Sequence, residues 1–340
     1  MYVKLLSVAS LIIFVDGATS AQDVHDYYRD KTITIIAGSG AGGTTDISAR
    51  VIAEHLGEHI PGSPTVIVQN RPGGGSVTMT NYLYRSAPRD GTVLGYSLPG
   101  IVTAQLLEPD RVRYDSREIS WIGSAMTYTG VVSVISSAPA TTIAQARETE
   151  LFIGTTGRGS PAHQFPAMAA ALLDLRLEMI TGYTSSNEVV LAMERGEVHG
   201  QSSSLQYWAI SRSDWLEQGR MIPLLYVGPH DPLAARGVPY LSELVQTQRE
   251  KALVDFIEIG SRMGWPLFAP PGTPPARVET LRRAFSDLLQ DERFATRFES
   301  SVKATLNPSN GAELDSLVER ALATPEAIVS ETEQILGLGN

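Results

Sequence analysis

The stretch from Thr32 to Gly75 constrains this chain more than any other. Ile33, Ile35 and Ile36 form a short apolar run that breaks at Gly38-Ser39-Gly40-Ala41-Gly42-Gly43, which suits a buried parallel strand ending where side chains must be absent. A helix is expected next. Thr44 or Thr45 can cap it and Asp46 sits in its first turn, while Ile47 with Val51 and Ile52 with Leu56 form i, i+4 apolar pairs for the face turned to the sheet. Thr65 to Gln69 reads as the following strand, and Asn70-Arg71-Pro72-Gly73-Gly74-Gly75 as a second glycine loop. Two such loops leaving one sheet edge aim backbone N–H groups outward, the outline of an anion site.

Gly38, Gly40 and Gly43 also satisfy G-x-G-x-x-G, so a dinucleotide-binding fold and a nicotinamide-dependent oxidoreductase form the rival reading. That fold places an acidic residue at the end of the second strand to hold a ribose hydroxyl. Here the strand ends in Gln69-Asn70.

Strand and helix keep alternating through Thr92–Ser97, as a parallel sheet with covering helices requires. The β-branched run Val131 to Ile135 follows a first crossing into a second domain near Met126. There Leu151 to Gly154 leads into a third glycine loop, Thr155-Thr156-Gly157-Arg158-Gly159-Ser160, and a helix over Ala162 to Leu173. Glu178 to Thr181 and Met221 to Val227 read as further strands, with the return crossing after about Tyr240. The Pro-rich segment Pro266 to Pro275 opens the last helical region. Val278, Leu281, Phe285 and Leu288 supply its stripe.

Met1 to Ala21 has the form of a secretory signal peptide, with Lys4, an apolar stretch from Leu5 to Val15, and small residues at Ala18-Thr19-Ser20-Ala21. Cleavage is expected near Ala21. The sequence holds no Cys, so an exported chain of this kind is held by packing alone. A net charge of −10 argues against nucleic acid or an anionic membrane surface as a partner, but not against a small anion in a cleft lined by helix ends.

Taken in order, these segments resemble the substrate-binding proteins of tripartite tricarboxylate transporters, the Bug family of periplasmic receptors. The resemblance rests on Gly42 to Arg50, Pro61 to Asn70, Arg71 to Gly75, Ala87 to Thr92, Gly154 to Ser160, Gly182-Tyr183, Met193 to Val198 and Phe268 to Pro274. Thr44-Thr45 stand where the family often has a third glycine or an aromatic, and His199 and Ser203 where many members carry aspartates. These departures bear on ligand identity more than on fold. The resemblance implies an α/β, type II-like periplasmic binding protein fold, each domain a mainly parallel sheet flanked by helices with the ligand cleft between. It places domain 1 at 22–125 plus 241–340 and domain 2 at 126–240. It further implies a probable monomer without cofactor or catalytic residues, capturing a small organic acid for the membrane components of a tripartite transporter or for a sensor protein.

The expected ligand-binding set is Gly42, Gly43, Thr44 and Asn70 in one domain and Thr155, Thr156, Arg158, Ser160 and Tyr183 in the other. Arg158 fits a two-pronged carboxylate contact as well as an exposed loop position. Tyr183 fits a ligand-facing ring as well as a core tyrosine. Asp46 reads as a cap and Arg71 as a brace of the second loop. His55-Leu56-Gly57-Glu58-His59 matches H-x-x-E-H, yet Gly57 interrupts it, Pro61 ends it and no further ligand motif follows. Ser160 and His163 are spaced for a helix start rather than for nucleophile and base.

Overall fold

The computed structural model describes residues 27–338, and the signal peptide expected over Met1 to Ala21 lies outside them. In chain order the strands are β1 (Thr32–Ala37), β2 (Thr65–Asn70), β3 (Val93–Tyr96), β4 (Ser120–Ser124), β5 (Gly130–Ile135), β6 (Leu151–Thr155), β7 (Leu177–Thr181), β8 (Gly200–Ser204), β9 (Met221–Val227), β10 (Pro266–Ala269) and β11 (Ser309–Asn310). They build two sheets, ordered β11-β4-β10-β3-β1-β2 and β7-β6-β8-β5-β9.

Each sheet is mixed. The strands that feed the glycine loops are parallel, β1 with β2 and β3 and β6 with β7 and β8. The strands that leave or return are antiparallel: β10 pairs with β3 and β4, and β5 with β8 and β9. The expectation of mainly parallel sheets therefore holds only around the loops, because a chain that crosses between sheets and comes back must reverse direction.

Helices cover both faces of the sheets. Ile52 and Leu56 of helix Thr44–His59 are buried with Phe285, Phe294 and Phe298 from the later helices Pro275–Leu288 and Glu292–Val302. Burying a phenylalanine or leucine of this kind contributes about 1.5–3 kcal/mol. The C-terminal helices thus close over the first sheet, and helix Gly311–Leu322 packs against β4. The final helix, Glu326–Ile335, touches helices Ile101–Leu107 and Gln248–Met263 and also helix Pro161–Leu173 beside the second sheet.

Two crossing segments run side by side between the sheets. The N–H of Tyr128 donates to Ser261 O at 2.8 Å, the Thr129 hydroxyl to Pro229 O at 2.5 Å, and the N–H of Gly228 to Glu258 Oε1 at 3.1 Å. Burial raises the Glu258 carboxyl above its ordinary value against the pull of the Gly228 N–H and of Arg262. Gly264 has φ +64, and a Cβ there would collide with Met126 O on the neighbouring segment.

Candidate functional site

The carboxyl ends of β1, β2, β6 and β8 bring the loops of the two halves face to face. A Cβ on Gly75, in the second glycine loop, would sit 3.3 Å from the carbonyl of Gly159 in the third. Thr44 Oγ1 lies 3.5 Å from Ser204 Oγ at the end of β8. Beside them Glu108 is buried, pairing with Arg111 through Oε2 while Oε1 has no partner among the described residues. That oxygen abuts Gly159, which leaves no room for a side chain.

The first loop is braced from within. Neither Thr44 nor Thr45 is the cap: the N-cap is Gly43, with no side-chain cap bond. Asp46 instead reaches back to accept the N–H of Gly42 at 2.9 Å and Asn70 Nδ2–H at 2.9 Å, and pairs with Arg50 at 2.8 Å. Burial works to raise its carboxyl, but these hydrogen bonds prevail and hold it below the usual range. Thr45 Oγ1 accepts from the Trp265 indole at 2.9 Å, tying the helix start to the return crossing.

These bonds revise the expected set. The Gly42 amide is engaged by Asp46. The Asn70 amide donates to Ser39 O at 3.1 Å and to Asp46, and its oxygen accepts from Arg50, so Asn70 organises the loop from behind. Gly43 and Thr44 stay at the cleft, where the first N–H groups of a helix lack intrahelical acceptors. Arg71 stacks on the Tyr82 ring at 3.8 Å, bracing the second loop as expected.

In the third loop Thr156 Oγ1 and Ser160 Oγ lie 3.1 Å apart, and Ser160 also donates to Gly157 O at 2.8 Å. Helix Pro161–Leu173 begins there with no side-chain cap bond. Thr155 is turned away, its hydroxyl 3.3 Å from His163 Nδ1. His163 Nε2 lies 3.2 Å from Leu336 O, an acceptor only, so the ring donates from Nε2 and accepts at Nδ1 as a neutral imidazole. Ser160 and His163 make no nucleophile–base pair. Arg158 reaches the other way, donating Nη1–H to Gly337 O.

Tyr183 packs against the second sheet. Its Cε2 lies 3.2 Å from where a Gly154 Cβ would be, and the ring packs half-buried beside the cluster of Val189 and Val190. Burial, then the charge of Glu197, raises its phenol. The ring thus lies on the sheet face. His199 stacks on Phe152 at 5.2 Å and accepts that residue's N–H at 3.0 Å, at the end of the sheet away from the cleft. Ser203 pairs with Ser186 at 3.3 Å.

The dinucleotide pattern has a different physical basis here. A Cβ on Gly38 would strike Ser76, whose hydroxyl donates to Gly38 O at 3.0 Å and accepts the N–H of Leu98 at 2.9 Å. Gly38 is therefore required by the second loop. In the H-x-x-E-H segment the half-buried His55 packs edge-on against Phe294, and no group of three or more His, Cys, Asp or Glu suited to a metal occurs among the described residues.

Sequence reasoning missed Gly75, Ser76, Glu108 and Ser204. Gly73, Gly74, Gly75 and Ser76 all have positive φ, and the glycine run was the available signal. For Ser204 the signal was the serine run Ser202-Ser203-Ser204, and for Glu108 there was none.

Comparison with known proteins agrees with this architecture. The chain matches the family described as tripartite tricarboxylate transporter family receptor, over residues 48–333. It is 26% identical to Protein BugT of Bordetella pertussis over 326 residues, covering 92% of this chain and 94% of that one. The periplasmic binding protein BugD superposes with a TM-score of 0.71 at 18% identity, over 90% of this chain and 98% of its own. An R. palustris protein solved with adipate gives 0.70 at 22% identity, over 89% and 97%. MatC from Rhodopseudomonas palustris, with bound malate, gives 0.68 at 18%, over 90% and 99%. Facing glycine loops on two mixed sheets, with a family match across most of the length, lead to one conclusion: this chain belongs to the tripartite tricarboxylate transporter family of receptors.

Proposed function

We propose that this receptor works outside the cytoplasm, after removal of a leader near Ala21, and closes on a small organic anion held between its two halves. The division 22–125 plus 241–340 and 126–240 is the one that the two sheets support. The observation that carries the reading is a pair of helix starts without side-chain caps, at Gly43–Thr44 and at Ser160, on two halves whose loops meet at Gly75–Gly159 and Thr44–Ser204. Carboxylate oxygens accept from the N–H groups of Gly43 and Thr44 on one side and from the Thr156 to Ser160 loop on the other, with the hydroxyls of Thr44, Thr156, Ser160 and Ser204 assisting. Adipate and malate in the two related structures support a carboxylate as the ligand class.

Each charge-assisted bond of this kind is worth about 1.5–3 kcal/mol net. A few of them, less the cost of immobilising the ligand, reach the ~8 kcal/mol of micromolar binding. The bound form then docks as a monomer on the membrane components of a tripartite transporter. Among the described residues no helix is long and apolar enough to cross a membrane. The oxidoreductase reading finds no specific support, since Asn70 stands where the ribose-binding acid belongs and its amide is engaged within the loop.

A thermal-shift screen against malate, adipate, citrate, aromatic acids and amino acids tests the proposal. A ligand that binds only the folded state raises the melting temperature by mass action. The expected result is a concentration-dependent rise with at least one di- or tricarboxylate. A flat response to every acid would overturn it.

A further inference from the structure

Arg158, expected at the cleft, belongs to a different cavity. Helix Pro161–Leu173, strand β7 and the segment 335–337 border an open groove of about 470 Å³, within the range of small-ligand sites. Strand alternation directs Leu177, Met179 and Thr181 to one face, and they meet Ile335, Leu336 and the alanine-rich face of the helix there. Most of the side chains that border the groove are apolar, and none is a carboxylate. The ionisable ones are Arg158 and His163.

His163 is committed on both ring nitrogens, to Thr155 and to Leu336 O, and burial lowers its pKa. It lines the wall as a neutral ring. The charge of the site is therefore the Arg158 guanidinium. Its Nη1 is bound to Gly337 O, while Nε and Nη2 meet no acceptor among the described residues. A single cation at the edge of an open groove bordered by Leu177, Met179 and Ile335, with two donors free and no acid in the lining, complements one chemical class.

We infer that this flank cavity binds a monocarboxylic acid with an apolar body, aliphatic or aromatic, whose carboxylate meets Arg158 while its hydrocarbon lies against Leu177, Met179 and Ile335. It is a second site, against helix Pro161–Leu173 and β7. A tricarboxylate does not suit it, because the lining offers its further charges no second cation.

Isothermal titration of the full chain with octanoate tests the site, with 1-octanol as the uncharged probe. Octanoate is expected to bind the wild type, and 1-octanol at least about tenfold more weakly. Arg158→Ala should weaken octanoate by a similar factor. Thr181→Glu, an exposed change at the rim, should do so by repulsion without emptying the core. Gly43→Val, which alters the cleft alone, should leave octanoate affinity unchanged. No binding by the wild type, equal affinity in Arg158→Ala and Thr181→Glu, or loss of octanoate in Gly43→Val would each overturn the inference, the last by placing the acid in the cleft.

Discussion

The imidazole of His163 donates Nε2–H to the carbonyl of Leu336, 173 residues further along the chain, at 3.2 Å. Its other nitrogen accepts from Thr155. One buried ring therefore joins the third glycine loop to the C-terminal segment that crosses from the far half of the molecule.

This contact predicts a pH dependence. Burial depresses the His163 pKa from its ordinary 6.5, with Arg158 adding to the effect and the bond to Leu336 opposing it. The unfolded chain then binds more protons than the folded one below about pH 6.5, so the stabilisation is full above that value and is lost as pH falls through the folded pKa. Melting curves between about pH 7.5 and pH 5 should show a smaller loss for His163→Gln, which keeps a donor but cannot titrate. Parallel curves for the two proteins would remove His163 from the acid response.

Gly43→Val isolates the cleft. Gly43 has φ −90, and a Cβ there meets nothing within 4 Å, so neither strain nor collision accompanies the change. Gly43 is the N-cap, where a branched apolar residue is disfavoured, so stability should fall by about 1 kcal/mol. Binding of the cleft ligand should fall at least tenfold, or by about 1.4 kcal/mol, because the side chain covers the helix start. Wild-type affinity in this variant would exclude the first loop as the anion cradle.

Closure should be visible in solution. Gly75 with Gly159, and Thr44 with Ser204, pair loops from opposite halves. Small-angle scattering should show compaction on adding a saturating cleft ligand. Gly159→Ala, whose methyl would press on Glu108, should hold the halves apart and blunt that compaction. An identical profile with and without ligand would rule out domain closure.

Gly264→Ala probes the crossing. At φ +64 a side chain is strained by about 1–3 kcal/mol, and here the methyl would also meet the Met126 carbonyl. Urea denaturation should show a loss of at least about 2 kcal/mol. An unchanged midpoint would mean that the two crossing segments are free to separate.

Several elements were legible because their signals are local. The isoleucines of β1, the β-branched run of β5 and the glycines that end β1, β2 and β6 encode strand and turn in neighbouring residues. By contrast β8, Gly-Gln-Ser-Ser-Ser, is buried at every position in the middle of its sheet, although its composition favours a loop. Tertiary neighbours override its weak strand propensity. The same holds for β10, hidden in a Pro-rich stretch that reads as a connection and yet pairs with both β3 and β4.

The site divides along the same line. From sequence alone came the three glycine loops, the helices that follow them and a crossing near Met126, all of which rest on short-range backbone chemistry. Tertiary structure alone decided which way the polar groups of those loops turn. Asn70 turns inward because Asp46 and Ser39 lie beside it, Thr155 turns to His163, Arg158 turns to Gly337, and Tyr183 lies down on Gly154. A polar side chain entering a folded interior goes to the partner that satisfies it. For Arg158 that partner lies 179 residues away, where no local pattern in the sequence can indicate it.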